Sequence, residues 1–149
     1  MIKKILIILI LVLNSCGYQP LYSKKEIGKF NAKEFNLLGD KNINKYLTSS
    51  LEIKVNPENY EYKKISIEND KKIIETSKDS KGKPDSLKMI IMIKFLFKDK
   101  NDILTEKTIS KEFSYKNKDN KFDLSLYEDD IEKNLIDSII DELIIFMNL

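Results

Sequence analysis

The chain has 149 residues and a formal net charge of +2, from 26 basic and 24 acidic side chains. Every basic residue is lysine; arginine, histidine and tryptophan are absent, and Cys16 is the only cysteine. This composition excludes an intrachain disulfide, a His-dependent nucleophile and a Cys/His zinc site. It also lacks the guanidinium fork that grips bases and phosphates in pairs.

Lys3 and Lys4 precede nine apolar residues, Ile5 to Leu13. A spanning helix needs roughly 20 apolar residues, so this run reads as the core of a secretory signal. It ends in Leu13-Asn14-Ser15-Cys16, which resembles a bacterial lipobox: an aliphatic residue at −3, a small one at −1 and cysteine at +1. Residues 1–15 are therefore expected to be a lipoprotein signal peptide, with Cys16 as the lipid attachment point. The resemblance implies a diacylglycerol thioether and an N-acyl chain on Cys16, and two or more chains make a stable anchor where one is marginal. No other cofactor and no metal is expected. Gly17 stands where many Gram-negative lipoproteins carry the aspartate that signals inner-membrane retention. The expected location is the periplasmic side of the outer membrane. Removing Lys3 and Lys4 leaves 24 lysines against 24 acidic residues. A nucleic-acid partner, which favours a basic excess, is not expected.

Residues 16–29 carry Pro20 and Gly28 and read as an acylated tether; residues 30–149 read as one domain. Phe30 to Leu38 is a weak strand. Asp40 is placed as an N-cap for a helix in which Ile43, Leu47 and Leu51 recur every four residues, closed by Asn56-Pro57. Tyr60 and Tyr62 alternate in one phase and Ile65 and Ile67 in the other. The switch at Lys63-Lys64 predicts a bulge or two short strands. Ile73 and Ile74 are expected to add a second edge piece. Thr76 to Ser86, with Gly82 and Pro84, reads as an exposed loop.

Leu87 to Phe97 is the clearest strand. Leu87, Met89, Ile91, Ile93, Phe95 and Phe97 make one face wholly apolar. The other face, Lys88 to Lys98, still includes Ile90, Met92 and Leu96, more than a solvated face requires, so part of it should contact something. Lys98–Asp102 is a turn, and Ile103 to Tyr115 returns as the second strand of an antiparallel hairpin. A capping box of Ser125 and Glu128 should start the last helix, with Asp129 and Asp130 complementing its dipole. That helix lines up Ile131, Leu135, Ile139, Leu143 and Met147, with Ile136, Ile140 and Ile144 on the next row. The order of elements predicts an α+β two-layer sandwich, with an antiparallel four-stranded sheet covered by two helices.

Clustered carboxylates such as Glu128-Asp129-Asp130, or Asp137 with Asp141, read as a helix start and a solvated helix face. No catalytic constellation is present, so an enzyme is not expected.

Cys16-Gly17-Tyr18-Gln19-Pro20-Leu21-Tyr22 resembles the mature start of the LPS-assembly lipoprotein LptE family, in which a Cys-Gly-aromatic-x-Pro-Leu-Tyr opening is common. Ser114-Tyr115 and Ser125-Leu126-Tyr127 resemble fragments of its second half. The resemblance implies a two-helix, four-stranded domain lodged in an LptD-type outer-membrane β-barrel. Such a domain would plug and help assemble the barrel for lipopolysaccharide transport to the cell surface. The family often carries arginines where lipopolysaccharide phosphates could be met, and this chain has none. Direct lipopolysaccharide contact would fall to lysines, here Lys78, Lys81 and Lys83 of the loop and Lys98 and Lys100 of the turn. The alternative readings are a periplasm-facing lipid-carrying lipoprotein chaperone and a generic envelope lipoprotein.

Overall fold

The computed structural model describes residues 29–147. In chain order these form β1 (Lys29–Leu38), α1 (Lys41–Ser50), β2 (Glu52–Val55), β3 (Tyr62–Lys78), β4 (Pro84–Asp99), β5 (Leu104–Lys116) and α2 (Lys121–Met147). One sheet runs in the order β2-β1-β3-β4-β5. β1 is parallel to both of its neighbours, while β3, β4 and β5 are antiparallel.

Among the described residues, the α+β architecture with two helices agrees with the sequence reading, but the sheet is five-stranded and mixed rather than four-stranded and antiparallel. The difference lies in β2. The apolar spacing of α1 runs on into Leu51, yet Leu51 is the C-cap and already extended, with φ −97° and ψ 111°. The helix thus stops at Ser50, well before Asn56-Pro57. The chain then returns beside the start of β1, pairing Glu52 with Lys29. A strand of four residues is too short to show an alternation of its own.

At the other end of α1 the expected cap is in place. Asp40 accepts from the backbone N–H of Asn42 at 2.7 Å and of Ile43 at 3.2 Å. These bonds, the Ile43 one foremost, hold its carboxyl below the usual range.

β3 is one strand of 17 residues, not two short ones. The phase switch at Lys63-Lys64 is real: Tyr62 pairs with Asp99 and Lys64 with Lys98, so β3 carries one extra residue there. β1 switches beside it, burying Phe30 and Ala32 before the change and packing Phe35 and Leu37 on the core after it. Phe30, Tyr62 and Phe97 close this end of the core, with ring centroids 5.4–6.3 Å apart. The predicted loop over Thr76–Ser86 is shorter than expected, because β3 and β4 continue to Lys78 and from Pro84. Polar alternation at an exposed hairpin end carries no apolar signal, although the backbone ladder persists.

The core face of β4 is buried from Leu87 to Phe97, with Ile91, Ile93 and Phe95 at 0% exposure. It meets Ile131, Leu135, Ile139 and Leu143 of α2 in one apolar cluster that also contains Ile43 and Leu47 of α1. Met147, on the same line, is only partly buried.

The start of α2 corrects the expected capping box. The helix begins at Lys121, and Asn120 Oδ1 accepts from the N–H of Phe122 at 3.0 Å. Ser125 and Glu128 therefore lie inside the helix. Asp129 and Asp130 sit beyond the first turn, where only Asp123 is acidic, too far in for the dipole to favour them. The helix's first turn, with Phe122 exposed and Leu124 buried, lies ahead of the Ile131 line and outside its every-fourth-residue spacing.

Candidate interaction surfaces

Both helices pack on one face of the sheet. The opposite face is built from the alternate residues of the same strands. Along β4 it presents Lys88, Ile90, Met92, Lys94, Leu96 and Lys98. Ile90 lies between Lys72 and Glu112, Met92 between Asp70 and Ser110, and Leu96 between Ser66 and Glu106. Ion pairs frame the apolar positions: Lys88 to Glu112 at 2.8 Å and Lys94 to Glu106 at 2.9 Å. Met92 is 41% exposed, high for a methionine in the middle strand of three. The face thus combines a central apolar row with a paired charged border, as at the centre and rim of protein interfaces.

The five lysines singled out as lipopolysaccharide contacts fall at opposite ends of the hairpin. Lys78, Lys81 and Lys83 belong to the β3–β4 tip, and Lys98 and Lys100 to the β4–β5 turn. Strand rise alone separates the two groups by roughly 50 Å, so they cannot form one site. At the tip, Asp79 accepts from the N–H groups of Lys81 and Lys83, both at 2.8 Å, and Gly82 takes φ +78°. The β4–β5 turn repeats this construction. Asp99 accepts from Asn101 at 2.8 Å and Ile103 at 2.9 Å, and Asp102 takes φ +65°. Among the described residues, Lys81 and Lys83 have no ion-pair partner, whereas Lys78 reaches Glu75 at 3.6 Å. Lys98 is held by Asp102 at 2.9 Å, and the Lys100 ammonium lies 5.6 Å from the Tyr60 ring centroid. Lys63 binds the other Asp102 oxygen at 2.5 Å, and these two lysines bring the Asp102 carboxyl down to about 2.

The helix carboxylates have structural partners. Glu128 accepts from the Tyr115 hydroxyl at 2.7 Å and Asp137 from the Tyr46 hydroxyl at 2.9 Å. Burial first, then the Glu128 bond and charge, push the Tyr115 hydroxyl up. Lys71 of β3 reaches Glu132 at 2.6 Å, and Lys111 of β5 reaches Glu142 at 2.7 Å. Burial alone would pull the Lys71 ammonium down, but the Glu132 bond and charge, aided by Asp40 and Asp129, raise it. These pairs tie both flanks of α2 to the sheet. Partners 31 and 61 positions apart leave no local pattern in the sequence.

Cys16 and the motif residues Gly17, Tyr18, Pro20, Leu21 and Tyr22 lie outside the described residues. Among the described residues, no helix is long and apolar enough to cross a membrane.

Fold and surface together define a class: a two-layer α+β domain with both helices on one side and a polar-framed apolar row on the other. No protein-family model matches the sequence, and no curated protein matches it. Solved structures do share the fold. The rare lipoprotein B from Shewanella oneidensis is similar with a TM-score of 0.58 at 12% identity, covering 77% of this chain and 93% of that one. An uncharacterized lipoprotein B from Nitrosomonas europaea has a TM-score of 0.50 at 9% identity, covering 78% of this chain and 81% of that one.

Proposed function

We propose that this chain is a non-catalytic, acylated lipoprotein of the outer membrane. It would plug and help assemble an LptD-type β-barrel that carries lipopolysaccharide to the cell surface. The observation that carries the reading is the sheet face of Ile90, Met92 and Leu96, opposite both helices, which offers a stationary partner a framed apolar surface. The lipobox at Leu13–Cys16, the Cys16–Tyr22 opening and the fold shared with two lipoprotein structures support it. The core between sheet and helices is filled by side chains such as Ile93, Phe95 and Ile139 at 0% exposure. Such packing suits a rigid stopper, whereas a lipid carrier needs room for acyl chains.

The chain enters the described fold beside the β4–β5 turn, since Phe30 packs on Phe97. A domain anchored through Cys16 would keep that end near the inner leaflet and point the β3–β4 tip away from it. Lys81 and Lys83 would then be placed to meet phosphates as point charges, while Lys78, Lys98 and Lys100 are already engaged. Extraction of outer membranes in mild detergent, followed by capture of the acylated protein, tests the reading. The barrel should copurify with it. Recovery of the protein alone, from cells whose barrel stays functional without it, overturns it.

A further inference from the structure

At the end where β1 begins, a cleft of about 590 Å³ opens between the start of β1, the segment before β3, the β4–β5 turn and the last residue of α2. Its size falls within the range of small-ligand sites. Three asparagines face it, Asn31, Asn59 and Asn101, from three different segments. The three residues are held through their own backbone groups. The Asn31 carbonyl accepts from Glu61, and the N–H groups of Asn59 and Asn101 donate to Asn56 and Asp99. Among the described residues the three side-chain amides themselves have no protein partner, so each can both donate and accept toward the cleft.

Tyr60 supplies an aromatic wall, with the Lys100 ammonium 5.6 Å from its ring centroid, and Met147 adds an apolar one, while the Tyr62 ring is packed on Phe30 and Phe97. The ionised lining is two carboxylates, Glu61 and Asp99, against the single ammonium of Lys100, and one Asp99 oxygen is already held by the Asn101 and Ile103 N–H groups. That balance disfavours phosphate and sulfate. Bidentate amides and carboxylates beside rings suit a ligand whose hydroxyls alternate as donor and acceptor and whose C–H faces are apolar.

We infer that this cleft binds a neutral glycan segment of a few sugar units. The inference does not depend on the barrel reading, because it rests on the cleft alone. A neutral glycan could come from an acetamido-sugar polymer of the cell wall or from the hexose portion of a glycolipid; both present the same hydroxyl-rich, uncharged surface.

Amide chemical-shift titration of the ¹⁵N-labelled, acylated protein tests it, with chitotetraose, maltotetraose and glucosamine 6-phosphate as separate probes. At least one neutral probe should shift Asn59, Tyr60 and Asn101 saturably at millimolar concentration, leaving Lys81 and Lys83 unmoved. A preference for chitotetraose assigns the wall-type source, and a preference for maltotetraose the hexose source. Tyr60→Ala combined with Asn101→Ala should raise the half-saturation concentration about tenfold or more, which corresponds to about 1.4 kcal/mol, with the melting temperature unchanged. No saturable shift with either neutral probe overturns the inference. So does tighter binding of the phosphorylated sugar, or binding that survives both substitutions.

Discussion

Asn69 Oδ1 accepts a hydrogen bond from the backbone N–H of Asp40 at 2.9 Å, tying the middle of β3 to the N-cap of α1. The same side chain donates from Nδ2 to the Leu38 carbonyl at 3.1 Å and to Asn44 Oδ1 at 2.7 Å. Asn69 is 5% exposed and is the one polar side chain buried among the described residues. It closes the β1–α1 corner by satisfying groups that neither helix nor sheet can reach.

Replacing Asn69 with Leu would leave the Asp40 N–H and the Leu38 carbonyl without this partner. The expected cost is about 1–3 kcal/mol for a stranded buried polar group, read as a lower urea midpoint with an unchanged slope. Gly39 beside it has φ +104°, and a Cβ there would lie 2.1 Å from the Asn69 carbonyl oxygen. Gly39→Ala should therefore destabilise by both strain and displacement. An unchanged midpoint in both variants would show that the corner is held by something else.

Ile93 of the sheet and Leu135 of α2 belong to the same buried cluster between the two layers, at 0% and 8% exposure. Truncating either to Ala should cost about 2–5 kcal/mol in denaturant unfolding. Met92, the next residue on the other face, is 41% exposed. Met92→Ser should change the stability of the isolated protein by about 0.5 kcal/mol or less. Comparable losses at Met92 and Ile93 would contradict the assignment of covered and uncovered faces.

Apolar alternation made the two faces of β4 and the α2 stripe legible, because each residue there follows a strict period. Asp40 was legible as a cap for the same local reason. What escaped was non-local or too short. β2 has four residues, Asn69 acts on groups 25–31 positions away, and the tie of Lys71 to Glu132 spans 61. The capping box failed because Ser125 and Glu128 matched the pattern while Asn120, five residues earlier, held the actual cap. For the surfaces, the apolar row at Ile90, Met92 and Leu96 was visible in sequence. The separation of the two lysine groups needed the strand lengths.

Asp102 occupies the left-handed region at φ +65° and is gripped by Lys63 and Lys98. Its carboxyl, lowered to about 2 chiefly by the Lys63 bond and then by Lys98, favours the folded state once ionised. A depressed folded value means this contribution is present above the unfolded carboxylate value of about 4 and is lost as pH falls toward 2. Carbon-detected titration should give an Asp102 midpoint near 2, and Lys63→Ala should raise it. A wild-type midpoint at the ordinary carboxylate value would show that the turn is open in solution.

For the proposed anchor, Cys16→Ser should leave a precursor that no longer incorporates radiolabelled palmitate. Label persisting in that variant would place the lipid elsewhere.

Contact between the face opposite the helices and an outer-membrane barrel can be read in living cells with a photo-crosslinking amino acid at position 92. Met92 is the most exposed position of the β4 apolar row. An ultraviolet-dependent adduct should join this chain to the lipopolysaccharide-translocating barrel. Outer membranes that contain both proteins but yield no such adduct, or an adduct only to other partners, would contradict that contact.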